Sequence, residues 1–213
     1  MAAGLAAHTI IKSEGALKTN SNICVFASSC NFLADEYYQE ASKLGTLLGQ
    51  NGFNMVYGGS KLGLMWACAG ALKNSGGKLY GVMPEKLNDF GVSSNICDEF
   101  YLTSGMRERK AKMDELSDGV IALPGGFGTL EEVSEIIVQK QLGYNNKPIV
   151  FINTNGYYNK LFEFMNEIIN QKFANKHSKN LYYNAQNCED ALKYLIEYDV
   201  SVRNFSKEDL YTR

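Results

Sequence analysis

The sequence is poor in histidine, with only His8 and His177 among 213 residues. Ser-His-Asp triads, Cys-His pairs and most zinc or non-haem iron sites need histidine. His8 stands in an N-terminal stretch with little pattern, and His177 lies in the polar run 175–179, so both are expected at the surface. Any catalysis should therefore depend on carboxylates and on basic side chains.

Cysteines are few and irregularly spaced. The five positions include no C-x-x-C pair: Cys24, Cys30, Cys68, Cys97 and Cys188. Disulfide frameworks and zinc sites both use more regular spacing. We therefore expect reduced cysteines that act mostly as small core residues, and a cytoplasmic protein without a bound metal.

Neither sign of charge dominates the chain. The 21 lysines and arginines nearly balance 23 aspartates and glutamates, which gives a formal net charge of -2. Nucleic acids and anionic membranes are attracted by a strong cationic field, so neither is expected as a partner. A small anion held by local geometry is compatible with this balance.

Long apolar runs are missing, since none reaches the roughly 18 residues that a membrane-spanning helix needs. The first residues also lack the basic start of a secretory signal, and charged residues interrupt their apolar positions. A chain of 213 residues suits one domain. We predict a flexible N-terminal arm at 1–20, a nucleotide-binding domain at 21–198 and a C-terminal tail at 199–213.

Short apolar runs alternate with helical patterns along the chain. The predicted strands are 23–27, 53–57, 78–83, 100–102, 119–123 and 149–152. The predicted helices are 35–50, 64–73, 106–116, 129–142, 157–173 and 189–198, with an irregular segment at 84–95. Strands separated by helices favour right-handed crossovers. We therefore predict an α/β fold, a single domain with a doubly wound, Rossmann-like parallel sheet and helices on both faces.

Small residues follow three of the predicted strands, at Ala27-Ser28-Ser29, Gly58-Gly59-Ser60 and Gly125-Gly126-Phe127-Gly128. In doubly wound sheets the ligand crevice lies beyond the carboxyl ends of the strands. The three turns are therefore expected to converge on one crevice.

The third turn has the features of a phosphate-binding loop. Gly125, Gly126 and Gly128 lack the Cβ atoms that would keep an anion away from the backbone amides. Thr129 is expected to cap the following helix, whose N-terminus would direct free N–H groups and a positive dipole end at the anion. The alternative is that the glycines only make a tight strand-to-helix turn.

Two charged features are expected near this loop. Glu132 follows Thr129 by three residues, where a carboxylate can face the crevice, complement the helix dipole or close a capping box. The segment 106–110, Met-Arg-Glu-Arg-Lys, places positive charge at the start of its own helix, which the dipole disfavours unless an anion compensates. A solvated helix face is the alternative for this segment.

Together these residues closely resemble the LOG family, the cytokinin riboside 5'-monophosphate phosphoribohydrolases long labelled lysine decarboxylases. The family motif P-G-G-x-G-T-x-x-E is present at 124–132, and the motif M-x-x-R-K at 106–110. A Y-G-G-x-x-x-G-L-M block lies at 57–65 and G-Y-Y at 156–158. The resemblance covers about residues 22–198.

The resemblance implies a Rossmann-like homodimer with sites near the subunit interface. It implies hydrolysis of the N-glycosidic bond of AMP or an N6-modified AMP to free base and ribose 5-phosphate, without a metal or organic cofactor. Arg109 and Glu132 match the family's catalytic residues, and Lys110 matches a substrate-contacting lysine. The rest of the implied substrate-binding set consists of Ser28, Gly59, Met106, Gly125, Gly126, Phe127, Gly128 and Thr129.

This chemistry agrees with the residue types. Breaking the bond builds oxocarbenium character on the ribose and negative charge on the departing adenine. An ionised Glu132 can stabilise the positive charge and orient water. Arg109 can neutralise the leaving base or the phosphate through its fork of donors.

Two other functions stay open. Ser60 and Trp66 depart from the family's usual small residues, which keeps a non-catalytic nucleotide or cofactor carrier on the same fold as an alternative. An amino-acid decarboxylase would need a Schiff-base lysine and a pyridoxal site. No lysine of the sequence lies in a loop suited to that role.

Overall fold

Each strand is a short run of mostly apolar residues, as expected for a parallel sheet buried on both faces. The computed structural model describes residues 17–199 and Ser201. Its strands are β1 (Asn22–Phe26), β2 (Asn54–Tyr57), β3 (Leu79–Pro84), β4 (Glu99–Thr103), β5 (Gly119–Ala122), β6 (Ile149–Ile152) and β7 (Tyr183–Ala185). The central strands β2, β5 and β6 are buried along their whole length.

Helices connect the successive strands. They are α1 (Asp35–Gln50), α2 (Gly63–Asn74), α3 (Glu85–Asn88), α4 (Met106–Glu115), α5 (Phe127–Gln141), α6 (Asn159–Asn170) and α7 (Cys188–Glu197). Two 3-10 segments, Thr154–Gly156 and Lys176–Asn180, lie before and after α6.

The strands form one seven-stranded sheet in the order β4-β3-β2-β1-β5-β6-β7. Every neighbouring pair is parallel. The chain builds outward from β1 toward one edge, returns to the other side of β1 with β5, and then builds toward the second edge. This order confirms the predicted doubly wound, Rossmann-like fold.

Alternate residues of the central strands enter two apolar cores, one on each face of the sheet. Ile23 and Val25 of β1 belong to the first core, and Cys24 and Phe26 belong to the second. Helical residues close the cores: Leu44 of α1, Leu72 of α2 and Leu195 of α7 on the first, and Met113 of α4 and Val133 of α5 on the second. Helices therefore cover both faces, as predicted.

Helices α1 and α2 approach each other closely because glycines lie at their contact. A Cβ atom at Gly45 would lie only 2.1 Å from the carbonyl oxygen of Cys68, and one at Gly49 would lie 2.7 Å from Cβ of Ser75. This contact fixes α2 against α1 on the first face of the sheet.

Three differences from the sequence prediction stand out among smaller shifts at the ends of the elements. The segment 84–95 was expected to be irregular, but its start forms the short helix α3. Strand β7 was not predicted. The helix expected from residue 157 begins at Asn159, because Asn155 and Gly156 have positive φ angles of 53° and 72° and form a turn before it.

Most of the predicted N-terminal arm and C-terminal tail lies outside the described residues. Within the predicted arm, Leu17 packs in the first core and is 7% exposed. The domain boundaries at residues 20 and 198 stay predictions. All five cysteines are free. Among the described helices, none combines the length and the apolar character needed to cross a membrane.

Candidate active site

The three small-residue turns meet at the carboxyl edge of the sheet. The amide of Ser28, after β1, donates to the carbonyl of Pro124, after β5, at 3.2 Å. The carbonyl of Ser28 accepts the amide of Leu64 at 2.9 Å, which brings the loop after β2 to the same place. Strands β1 and β5 are neighbours at which the strand order reverses, and a crevice opens at such a switch point. The predicted convergence is confirmed.

Gly63 permits the close approach to Ser28. Its φ is +57°, and an added Cβ atom would lie 2.5 Å from the Ser28 carbonyl oxygen. The hydroxyl of Ser28 accepts the amide of Cys30 at 3.1 Å. Ser28 therefore connects the first, second and third turns through its own backbone, and its side chain shapes the first turn.

The glycines of the third turn have two different roles. A Cβ atom at Gly125 would lie 2.1 Å from Oγ1 of Thr129, so only glycine fits there without a rearrangement. At Gly126 and Gly128 an added Cβ would meet nothing within 4 Å, and both residues are exposed. The open surface in front of these two glycines gives a ligand access to the backbone.

Thr129 does not cap helix α5, and that prediction is wrong. The helix begins two residues earlier than expected, at Phe127, with Gly126 in the N-cap position. Thr129 is buried inside the first turn, where its side chain packs against Gly125. Glycine at the N-cap has no side chain to satisfy the first amides of the helix, so these N–H groups stay available to an anion.

Arg109 of α4 and Glu132 of α5 form a buried ion pair. Arg109 Nη1 lies 2.6 Å from Glu132 Oε1, and the two side chains are 9% and 10% exposed. Arg109 Nε also donates to the carbonyl of Val82 in β3 at 3.1 Å. A Cβ atom at Gly58 would lie 2.3 Å from Arg109 Nη2, so the glycine leaves room for the guanidinium. The guanidinium is thus held between the ends of β2 and β3 and the start of α5.

Burial raises the pKa of Glu132, while the Arg109 guanidinium acts in the opposite direction and favours the carboxylate. The raised value places this acid nearer to the range in which a carboxyl group can exchange protons during a reaction. Because Thr129 is not the N-cap, Glu132 does not close a capping box with it. The carboxylate pairs with Arg109 instead.

Lys110 is also engaged between the two helices. Its ammonium group contacts the carboxylates of Glu131 and Glu135 on α5. The hydrogen bond that Lys110 donates to Glu131 is the main cause that raises the pKa of Lys110. The alternative of a solvated helix face is therefore wrong for Arg109 and Lys110, although Met106, with its 46% exposure, does face solvent. The substrate contact of Lys110 stays a prediction.

The remaining predicted site residues lie at the same edge. Phe127 is 91% exposed at the start of α5. Gly59 has a φ of +70°, and a Cβ there would lie 2.8 Å from the ring of Phe100. Its carbonyl accepts the amide of Ser94 at 2.8 Å, which ties the loop after α3 to the second turn. Next to it, the hydroxyl of Ser60 is buried without a partner among the described residues.

Three residues contribute to the site in ways that the sequence did not predict. Gly58 makes room for Arg109, and Tyr157 and Tyr158 hold the glycine loop. The Tyr157 hydroxyl donates to the carbonyl of Gly125 and the Tyr158 hydroxyl to that of Leu123, both at 2.7 Å. The signals available in the sequence were the predicted turn that contains Gly58 and the G-Y-Y motif at 156–158 that contains both tyrosines.

The arrangement places open backbone amides one helical turn away from a buried carboxylate and guanidinium. The amides suit a phosphate, the carboxylate can stabilise positive charge, and the guanidinium can stabilise negative charge. Within residues 17–199 and Ser201, no group of three His, Cys, Asp or Glu side chains is placed to hold a metal ion.

Comparison with known proteins gives a consistent result for the sequence. Residues 65–195 match the model of a family described as "Possible lysine decarboxylase". The chain is 34% identical over 177 residues to cytokinin riboside 5'-monophosphate phosphoribohydrolase LOG7 of Arabidopsis thaliana, covering 83% of this chain and 82% of that protein. It is 36% identical over 176 residues to LOG1 of the same plant, covering 83% of both proteins.

A solved structure shares the fold at lower sequence identity. The molybdenum cofactor carrier protein MCP of Chlamydomonas reinhardtii matches with a TM-score of 0.64 and 21% identity, over 83% of this chain and 96% of that one. At this identity the similarity shows the common fold alone.

Proposed function

This chain belongs to the LOG family of cytokinin riboside 5'-monophosphate phosphoribohydrolases, and we propose that it hydrolyses the N-glycosidic bond of a nucleoside 5'-monophosphate. The substrate is AMP or an N6-modified, cytokinin-type riboside 5'-monophosphate. The products are the free base and ribose 5-phosphate. The buried Arg109–Glu132 pair beside the glycine loop is the observation that supports this most directly.

The glycine loop is the proposed binding site of the 5'-phosphate. The exposed backbone of Gly126 and Gly128 lies at the start of α5, where free N–H groups and the positive end of the helix dipole favour an anion. Gly125 and Thr129 pack against each other and stabilise the conformation of this backbone.

Glu132 is the proposed catalytic carboxylate and Arg109 the proposed catalytic cation. As the glycosidic bond breaks, the ionised carboxylate stabilises the oxocarbenium character of the ribose and orients the attacking water. The guanidinium neutralises the negative charge on the departing base or on the phosphate. Both charges are held in place before the reaction, since Arg109 is bonded to Glu132 and to Val82. The chemistry uses side chains and water, and the proposal includes no metal or cofactor.

The other predicted residues complete the substrate site in this proposal. Phe127 and Met106 present exposed apolar surface to the base. Ser28 and Gly59 line the crevice at the ends of β1 and β2. Lys110 reaches the substrate by exchanging one of its two carboxylate partners for an anionic group of the ligand.

A homodimer is part of the proposal. Exposed apolar side chains recur at helical spacing along one face of α5 and at its end: Phe127, Leu130, Val138 and Leu142. An exposed apolar stripe of this kind is typical of a protein–protein contact. A cytoplasmic location is also proposed, because an odd number of free cysteines suits a reducing compartment.

Two alternatives are less well supported. The carrier function is favoured only by a similarity in fold at 21% identity. A decarboxylase would need a reactive lysine at the crevice. The one deeply buried lysine with a lowered pKa among the described residues is Lys140, in the last turn of α5, where it donates to the carbonyl of Lys147 and to Tyr198.

The test is to incubate the protein separately with AMP and with isopentenyl-AMP and to follow free base by chromatography. We expect release of base and of ribose 5-phosphate, and the ratio of the two rates gives the preferred substrate. Glu132→Gln should lose at least about 100-fold in kcat while its KM changes little. Glu163→Gln is the control, because this exposed carboxylate lies on α6 and pairs with Lys160, outside the proposed site. Full activity of Glu132→Gln would refute the assigned role.

A further inference from the structure

Three consecutive carbonyl groups at the entrance of the glycine loop each accept a hydrogen bond. Leu123 accepts from the Tyr158 hydroxyl at 2.7 Å. Pro124 accepts from the amide of Ser28 at 3.2 Å. Gly125 accepts from the Tyr157 hydroxyl at 2.7 Å. Two of the three donors are adjacent tyrosines that follow β6, so the loop after β6 controls the backbone of the loop after β5.

A hydrogen bond to a carbonyl also sets the direction of the next amide. Every peptide bond in the described part of the chain is trans, and in a trans peptide the C=O and the following N–H point in opposite directions. The Tyr157 hydroxyl on the carbonyl of Gly125 therefore turns the N–H of Gly126 away from Tyr157. Gly126 is the N-cap of α5, at the place proposed for the phosphate.

Several contacts fix the ring of Tyr157. It packs edge to face on Tyr37 of α1, with ring centroids 6.2 Å apart, and on Tyr158 at 5.0 Å. The chain before it turns through the left-handed residues Asn155 and Gly156. These contacts fix where the hydroxyl lies before any ligand arrives.

We propose that Tyr157 is a positioning residue for the phosphate site, which acts on the ligand through the Gly125–Gly126 peptide. The inference rests on the proposed function of the glycine loop. It adds that the affinity for phosphate depends on a hydroxyl from another loop, although the hydroxyl itself need not touch the ligand.

The two tyrosines have separable roles because their exposure differs. Tyr158 is 5% exposed, so loss of its hydroxyl leaves the carbonyl of Leu123, itself fully buried, without this donor. Tyr157 is 47% exposed, so water can reach the carbonyl of Gly125 when the hydroxyl is removed. Removing the Tyr157 hydroxyl should therefore loosen the peptide with little loss of folding stability.

The experiment measures the binding of ribose 5-phosphate by calorimetry, which needs no turnover, and steady-state kinetics with AMP. For Tyr157→Phe, which keeps the ring, we expect ribose 5-phosphate to bind about three- to tenfold more weakly and KM for AMP to rise by a similar factor. The value of kcat should stay within about twofold, and the melting temperature should be close to that of the wild type. Tyr183→Phe is the matched control, because it removes a tyrosine hydroxyl that donates to Asp190 at 2.9 Å.

The outcomes separate this inference from the proposed hydrolysis. If the wild type cleaves AMP and Tyr157→Phe binds ribose 5-phosphate as tightly as the wild type, the positioning role is refuted and the hydrolysis stands. The second outcome is that the wild type binds ribose 5-phosphate but does not cleave AMP, while Tyr157→Phe binds ribose 5-phosphate more weakly. In that case the positioning role stands and the hydrolysis is refuted. An equal loss of affinity in Tyr183→Phe, or absence of binding to the wild type, would also overturn the positioning role.

Discussion

Arg109 and Glu132 each need the other as a charge partner because both side chains are buried. Arg109 is bonded to Glu132 and to the carbonyl of Val82, and its guanidinium occupies the space that a Cβ atom at Gly58 would need. A buried charge that loses its partner is far more costly than an exposed one. The same burial that prepares the pair for catalysis therefore makes each member necessary for the other.

A first prediction concerns Arg109→Met. This change leaves the carboxylate of Glu132 buried without its partner, so the free energy of unfolding should fall by about 3–5 kcal/mol. The measurement is equilibrium unfolding in urea at neutral pH. Arg107→Met, on an exposed position of the same helix, is the control and should change stability by less than about 0.5 kcal/mol. Equal effects of the two substitutions would contradict the buried pair.

A second prediction concerns pH. Burial raises the pKa of Glu132 above its ordinary value of 4.5, and the proposed reaction needs the ionised carboxylate. The rate kcat should therefore be constant at neutral pH and fall on the acid side, with a midpoint above 4.5. A pH profile of kcat for AMP hydrolysis measures this midpoint. If the midpoint of the acid side lies at or below 4.5, a group other than Glu132 controls the rate.

The contact between Arg109 and Glu132 could not be derived from the sequence by pattern alone. The two residues are 23 positions apart on different helices, and no periodicity relates them. The family resemblance named both as catalytic residues, while the pairing itself came from the structure. The sequence marks Gly58 only as a small residue in a turn, because the guanidinium beside it comes from another element.

Among the elements, the start of α5 combines one structural glycine with two open ones. Gly125→Ala would place Cβ 2.1 Å from Thr129 Oγ1, so it should lower the free energy of unfolding by about 1–3 kcal/mol. Gly126→Ala meets open space and should leave stability within about 0.5 kcal/mol, but its methyl group should weaken phosphate binding. Urea unfolding and ribose 5-phosphate titrations of both variants test this. If Gly126→Ala binds phosphate as tightly as the wild type, the proposed phosphate-binding site is contradicted.

The far end of α5 gives a prediction that is independent of catalysis. Burial lowers the pKa of Lys140 to about 8 from 10.5, and the residue is 3% exposed. Between these values the unfolded chain binds more protons than the folded one, so stability should rise with pH, by about 2 kcal/mol from pH 8 to 10. Urea unfolding at these two pH values, compared with Lys140→Met, isolates the effect. The stability of Lys140→Met should not increase between pH 8 and 10. If it increases as much as that of the wild type, another group causes the pH dependence.

The elements that sequence patterns missed are those with weak local signals. Strand β7 has three residues and, in the described part of the chain, pairs with β6 alone, so its short run Tyr-Asn-Ala carries little apolar pattern. Helix α3 is a single turn after Pro84. Threonine favours the N-cap position, yet the structure uses the glycine three residues before Thr129 as the N-cap and buries the threonine.

For the whole molecule, the alternation of apolar runs and helical patterns was enough to predict the doubly wound sheet. Tertiary contacts between loops were not predictable in this way, since Tyr157 and Gly125 are 32 positions apart and belong to different strand ends. Fold prediction needs only the order of elements, while the site depends on which loop side chain reaches which backbone group.

The proposed homodimer is tested at this scale. Light scattering should give about 47 kDa, twice the chain mass of 23.7 kDa. A double substitution Val138→Asp and Leu142→Asp places charge on the exposed apolar face of α5 and should give the monomer mass. Phe164→Asp is the control, because Phe164 is equally apolar and 62% exposed on α6. A monomeric wild type would refute the dimer.

The central position of β1 has a consequence for biosynthesis. Its first neighbour, β2, follows closely in the chain, but its second, β5, is distant, as shown by the contact between Asn22 and Asp118 across 96 positions. A nascent chain can form the part of the sheet that runs β4-β3-β2-β1 while the other side of β1 is still open. That open side is an unpaired strand edge, which attracts other chains. The crevice between β1 and β5 can therefore form only after β5 has been synthesised. Until then, the exposed edge of β1 can lead to aggregation.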